Sequence, residues 1–367
     1  MAEKAIRLGG ESSAAAITQA VQELYPEHKF TEKEFARKNN ADEIALDSNF
    51  AAQSFWKDAL IRFFNKKSAV LGLILIVVIV ALAVLGPGMN AYTYSGQDLS
   101  QKNFAPRVPG IERLGILDGS EKMSTTTGTK VVNNYVDKGK TDVYYWFGSD
   151  LYGRDIWTRT WEGARVSLII AIAAAVIDMV IGMSYGLISG YFGGRVDMIM
   201  QRFLEVANGI PRLVIVTLLL LVLQPGMVTI IFALMLTEWV GMSRIARAEM
   251  LKLKDQEFVL ASRTLGAGSF FIIFKEVLPN IIGPIITQVM FSIPTAIFTE
   301  AFLSFVGLGI PVPQCSLGSL ISELYNSFTT HPYQIVPPIV VMSLLMLSFN
   351  LVADGLREAL DPKMKSM

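Results

Sequence analysis

Apolar residues in this chain come in long blocks. The first is Ser68–Leu85, close to the ~20 residues a helix needs to cross a ~30 Å hydrocarbon core. Five more follow at Ala164–Tyr191, Gly209–Leu223, Met227–Ile245, Asn280–Gly307 and Gln334–Asp354. The third block is short, and Gln224, Pro225 and Gly226 leave room only for a hairpin before the fourth. Ahead of the first block, Phe55, Trp56, Ala59, Leu60 and Phe63 recur at helical spacing among Lys57, Asp58 and Arg62. That pattern predicts an amphipathic helix lying on the bilayer surface. Between the first two blocks stands a polar stretch in which Lys130–Tyr135 and Thr141–Phe147 can pair as strands around a turn at Asp137–Lys140. The chain therefore divides into a polar N-terminal tail (1–53), an interfacial helix with the first span (54–88), an insertion (89–161), a membrane core (162–356) and a C-terminal tail (357–367). The expectation is an all-α polytopic membrane protein of six spans, with both termini on one side.

Composition agrees. Of 367 residues, 52% are hydrophobic and 17% charged, against about a quarter charged in soluble domains. The net formal charge is zero, so placement matters more than the sum. Segment 244–276 carries Arg244, Arg247, Lys252, Lys254, Arg263 and Lys275. Another short connection has Arg195 and Arg202, and the C-terminal tail has Arg357, Lys363 and Lys365. The connections 224–226 and 308–333 contain neither Lys nor Arg. The positive-inside rule then puts both termini and segment 244–276 in the cytoplasm, and the insertion and 308–333 outside. The first 67 residues are mostly polar, so the first span is expected to serve as an uncleaved anchor. A single cysteine, Cys315, excludes a disulfide within the chain, and His28 and His331 lie too far apart in sequence to favour a histidine metal site. Gly139, Lys140 and Thr141 imitate the end of a phosphate-binding loop, but Asn134 stands where its first glycine is required. The chain has no nucleotide motif of its own, and no nucleic-acid partner is expected.

The mixed stretch Glu257–Asn280 separates two strongly apolar blocks. Phe258, Ala261 and Leu265 fall on one face of a short helix. Gly266 and Gly268 stop it, because glycine takes the left-handed cap conformation without steric cost. Ser269 can cap the next short helix, and Pro279 suits the first turn of the long one. The product is a helix-turn-helix plug shaped for docking. Elsewhere, Gly182, Gly186 and Gly190 make a small-residue ridge that serves either packing within the chain or packing on a partner. Pro284 and Pro294 fall inside the fifth span, where proline kinks a helix. Asp178, Glu238 and Glu300 lie in or near apolar spans, where a carboxylate is costly and faces a cavity or a partner.

Ala261, Ser262, Gly266, Leu278 and Pro279 match the register of the EAA loop of ABC-importer permeases, with departures at Leu260, Ser262 and Glu276. Gly148, Asp150, Gly153, Arg154 and Asp155, followed by Gly163, Arg165, Ser167 and Leu168, resemble the GTDxxGRD…GxRxSL signature of the oligopeptide, dipeptide and nickel branch of that family. Gly190–Gly194, Asp197, Arg202, Pro211, Glu300–Gly309 and Asp354–Pro362 continue the likeness in order. The chain most resembles the C-type membrane subunit of an oligopeptide importer.

The resemblance implies a type I importer permease fold in a bacterial inner membrane. It implies a second, homologous permease subunit, two ABC ATPases that hold the ATP and Mg, and an extracytoplasmic peptide-binding protein or lipoprotein. The chain itself binds no cofactor. It also implies that a cytoplasmic coupling loop, 247–279, docks on the ATPases through Phe258, Ala261, Ser262, Arg263, Leu265, Gly266, Ala267 and Pro279. Asp178, Glu238, Pro294 and Glu300 are candidates for the translocation pathway or a subunit interface. The cargo class stays open among oligopeptides, dipeptides, glutathione-like peptides and nickel chelates. An ion-coupled secondary transporter would need a proton or ion relay and often carries an internal inverted repeat. A membrane enzyme would need a histidine cluster or paired carboxylates.

Overall fold

In the computed structural model, which describes Gln22, residues 55–125 and residues 128–360, the apolar blocks are helical. Helix α1 (Phe55–Asn65) stops at Lys66, whose extended backbone precedes α2 (Lys67–Leu85). After the insertion, Asp155 caps α3 (Ile156–Ile177) by accepting the Thr158 N–H at 2.8 Å. A π turn, Asp178–Gly182, joins α3 to α4 (Met183–Phe192). Then come α5 (Gly194–Gly209), α6 (Arg212–Val222), α7 (Met227–Thr237), α8 (Trp239–Leu253) and α9 (Glu257–Thr264). The long α10 (Leu278–Leu303), the short α11 (Leu317–Tyr325) and α12 (Val336–Leu360) complete the described chain. The polar tail expected over 1–53 lies outside the described residues apart from Gln22, as do Lys363 and Lys365.

Five of these stretches are long and apolar enough to cross a membrane: Lys67–Gly88, Ile156–Phe192, Met227–Leu253, Ser269–Leu308 and Pro332–Leu360. A sixth exists only if α5 and α6 are taken together, and they bend by 80°. The expected span Gly209–Leu223 is corrected accordingly. Helix α6 has 11 residues, about 16 Å at 1.5 Å per residue, too short to cross alone. Ile210, extended at the break, sets the turn because it precedes Pro211, and proline disfavours helix in the residue before it.

From Ala59 onward the chain is one compact unit centred on α3, which touches α2, α7, α10, α11 and α12. Ala164, Ile170 and Ala171 of α3 are buried with Leu317 and Leu345. The glycine ridge resolves to packing within the chain. A Cβ on Gly186 would sit 2.1 Å from the Ser243 carbonyl oxygen, one on Gly182 2.6 Å from that of Trp239, and one on Gly190 2.8 Å from the Met250 Cβ. All three contacts belong to α8, so the ridge is the groove that seats it.

The strand pair expected in the insertion forms with a different partner. Strands β1 (Ser120–Thr125) and β2 (Gly128–Asn133) form an antiparallel hairpin pairing Ser120 with Asn133. The strand expected from Lys130 onward exists but pairs with the segment before it. Asn133 ends it, its side chain accepting the Tyr135 and Val136 N–H groups to start a helical turn, Asn134–Asp137. Thr141–Phe147 forms no strand. Phe104, Tyr135 and Tyr145 make the insertion's own small core. The insertion is tied to the 308–333 segment by Glu121 on His331 Nδ1 at 2.9 Å. The Gln334 amide adds bonds to Asn103 at 3.1 Å and to the Ser149 carbonyl at 3.0 Å. The middle of that segment packs down on the helices through α11. Ser316 and Ser319 form a capping box for α11, which buries Leu317, Leu320 and Leu324.

Candidate functional site

The stretch after α8 builds a closed turn on an anchored helix. Val259 of α9 is fully buried beside Met250, Ile272, Ile273 and Val277. Gly266 takes φ +82°, and the turn closes with the Ala267 N–H on the Ser262 carbonyl and the Gly266 N–H on that of Arg263, each at 3.0 Å. This double bond pattern is the glycine-dependent Schellman closure. Phe258, Ala261, Arg263, Leu265 and Pro279 are exposed, Leu265 at 88%, while Ser262 and Ala267 are half-buried. Arg263 lies over the Tyr191 ring of α4 at 5.6 Å. The expected cap at Ser269 is corrected: extended Gly268 precedes the next turn and Ser269 is its first residue. Phe270, 75% exposed, and Phe271, 45% exposed, add apolar surface just after the turn; the sequence expectation did not include them, and two phenylalanines directly after a glycine stop were the available signal.

At the other end, the residues around Asp150 form a buried charge lock. Asp150 Oδ2 accepts Arg154 Nε at 2.7 Å and Arg159 Nη1 at 2.8 Å. The same two guanidiniums reach Glu323 of α11, Arg159 Nη2 at 2.7 Å and Arg154 by its Nη2. Burial works against ionisation of Glu323, but Arg159 and then Arg154 outweigh it and hold the carboxyl below its ordinary range. Downstream, Arg165 caps the end of α2, donating to the Ala83 carbonyl at 3.0 Å and to that of Val84 at 3.1 Å. A Cβ on Gly163 would meet the Ser316 backbone at 3.0 Å. The 148–168 motif is thus the seat on which α11 and the end of α2 rest.

Comparison with known proteins decides the family. The profile of the binding-protein-dependent transport system inner membrane component matches residues 182–366, and that of the N-terminal transmembrane domain of oligopeptide transport permease C matches 54–106. The oligopeptide transport system permease protein OppC of Bacillus subtilis is 40% identical over 330 residues, covering 90% of this chain and 95% of the relative. The dipeptide transport system permease protein DppC of the same organism is 40% identical over 330 residues, covering 90% and 91%. This chain belongs to the binding-protein-dependent transport permeases. Among solved structures, a chain of the inward-facing MetNI methionine ABC transporter aligns at 17% identity with TM-score 0.48, covering 55% of this permease and 96% of that chain.

The permease's candidate pathway residues differ in their settings. Glu300 is fully buried and accepts from three hydroxyls: Ser316 at 2.5 Å, Ser304 at 2.7 Å and Ser167 at 3.4 Å. Ser167 also accepts the Leu317 N–H at 3.1 Å, so this carboxyl knots α3, α10 and α11 together. Asp178 opens the π turn and accepts the Ser292 hydroxyl of α10. Glu238 marks the joint between α7 and α8 and faces the Thr299 hydroxyl at 3.4 Å. Pro294 is buried, and α10 runs through both Pro284 and Pro294 as one helix.

Proposed function

We propose that this permease is half of the translocation pathway of an ATP-driven importer of oligopeptides. Its complement would be a second permease, two ATPases holding ATP and Mg, and an extracytoplasmic peptide-binding protein. Both termini and the 257–280 turn lie in the cytoplasm, α5 and α6 together serve as the third of six spans, and the cargo enters from the insertion's side. Equal identity to OppC and DppC supports a dipeptide importer as the second reading.

The observation that carries the coupling role is the free apolar face on an anchored turn: Phe258, Leu265 and Phe270 are exposed while Val259 is locked in the core. Hydrophobic burial contributes about 25 cal/mol per Å², so seating these side chains in an ATPase groove would hold the turn to its motion. Ala261 joins Phe258 and Leu265 in that contact, and Arg263 lies at its rim. Closure of the ATPases then moves α9 as a rigid body, and Val259 passes the motion to α8 and to the base of α10.

Gly266→Asp tests this. The carboxylate would enter the apolar contact, and aspartate is held in a left-handed conformation that glycine adopts freely. In reconstituted complex, ATP hydrolysis should persist with peptide uptake reduced at least tenfold. Uptake and hydrolysis both at wild-type levels would reject the assignment.

A further inference from the structure

Helix α10 carries Gln288, Ser292, Thr295 and Thr299 at spacings of four, three and four, a single row along one face. All four are at least partly exposed, while Ile293, Pro294, Ala296 and Ile297 beside them are buried. Threonine can satisfy its hydroxyl on its own helix, as Thr295 does on the Phe291 carbonyl at 2.9 Å. Glutamine has two amide donors and an acceptor to satisfy, and the Gln288 side chain has no hydrogen-bond partner among the described residues. Gln288 lies ten residues into α10, about 15 Å from its start, where lipid could not satisfy it.

Two carboxylates back this row from other elements. Ser292 donates to Asp178 at the π turn, and Thr299 donates to Glu238 at the joint of α7 and α8. Asp178 is 2% exposed, and its Oδ1 has no hydrogen-bond partner among the described residues. Neither the π turn nor α10 contains a Lys or Arg. Glu300 is excluded from the row, since it is turned toward the three serines of its own knot.

We propose that the Gln288–Ser292–Thr295–Thr299 row is the wall α10 gives to the transport route, and that Asp178 behind it makes the route prefer cationic over anionic cargo. The inference rests on the transport reading above and adds to it the lining and its charge preference. Neutral amides and hydroxyls exchange hydrogen bonds with any peptide main chain, which suits cargo of varied sequence. The carboxylate favours a passing ammonium group over a carboxylate.

Cysteine labelling in the complete reconstituted complex tests both parts, because the one native cysteine, Cys315, is buried. Gln288→Cys and Thr295→Cys should react with small charged methanethiosulfonates. Ile172→Cys, on an exposed apolar face of α3, should not. After correction for each reagent's rate with free cysteine, the trimethylammonium reagent should outpace the sulfonate several-fold at both positions. Asp178→Asn should reduce that preference several-fold while labelling continues, with Glu238 behind Thr299 keeping the remainder; an unchanged preference would overturn the part given to Asp178. Protection of Gln288 and Thr295 cysteines from both reagents would overturn the lining, whether lipid or a partner covers the row. Equal corrected rates in the Asp178 protein would overturn the charge preference. The labelling does not depend on which cargo is carried. A complex that labels as described but imports no peptide would therefore reject the peptide reading and leave the lining standing.

Discussion

Gly186→Leu is expected to prevent assembly of the membrane core. A Cβ alone would lie 2.1 Å from the Ser243 carbonyl, 2.8 Å from the Ala246 Cβ and 2.9 Å from the Arg247 amide nitrogen. Two of these atoms are backbone, so no rotamer change relieves the clash, and α8 must move away from α4 along its length. Inserting methylenes into a well-packed core costs about 1–3 kcal/mol when the surroundings adjust. Here Gly182 and Gly190 hold the same contact on either side and oppose adjustment. The alanine variant should therefore lower the unfolding midpoint of purified complex clearly, and the leucine variant should yield little folded complex. Gly241→Ala is the matched control on α8, since a Cβ there meets nothing within 4 Å. Its midpoint should stay near wild type. A leucine variant as stable as the parent would show that the ridge does not seat α8.

How much of this was legible in sequence depended on whether the cause was local. The turn at Gly266 was readable because a Schellman closure is written in one glycine and its near neighbours. Spans were readable where apolar runs were long. They failed at Gly209–Leu223, where hydropathy cannot report an 80° bend. The sequence offered Lys130–Tyr135 as a strand paired with Thr141–Phe147, but strand partners are set by contacts beyond the local run, and the strand, ending at Asn133, pairs with Ser120–Thr125. The face Phe258, Ala261 and Leu265 was found, yet its anchor Val259 was not, because burial there is decided by Ile272 and Ile273 across the turn. Asp150 and Arg154 announced an ion pair by proximity. Their union with Glu323, 169 residues beyond Arg154, needed the fold, although a lone acid in an otherwise uncharged segment was a hint.

That union makes Arg159→Met the second large effect. Arg159 is fully buried and bonds both carboxylates of the lock, so its loss leaves Asp150 and Glu323 sharing Arg154 alone. Removing one partner of a buried ion pair costs about 3–5 kcal/mol, because a desolvated charge is left behind. The variant should unfold at a markedly lower temperature and release α11 from the insertion, which protease nicking between 308 and 333 would reveal. Adding Glu323→Leu should recover part of the loss, since it removes the stranded charge. The pH response has a definite sign. Glu323 titrates below its ordinary value when folded, so its contribution is present above the unfolded carboxylate range of about 4.3. It is lost as pH falls through the lower folded value, where the protonated acid no longer holds the guanidiniums. Midpoints of the wild type should thus fall more steeply in strong acid than those of Glu323→Gln. Parallel acid limbs for the two proteins would mean that Glu323 is not held by the arginines in the folded chain.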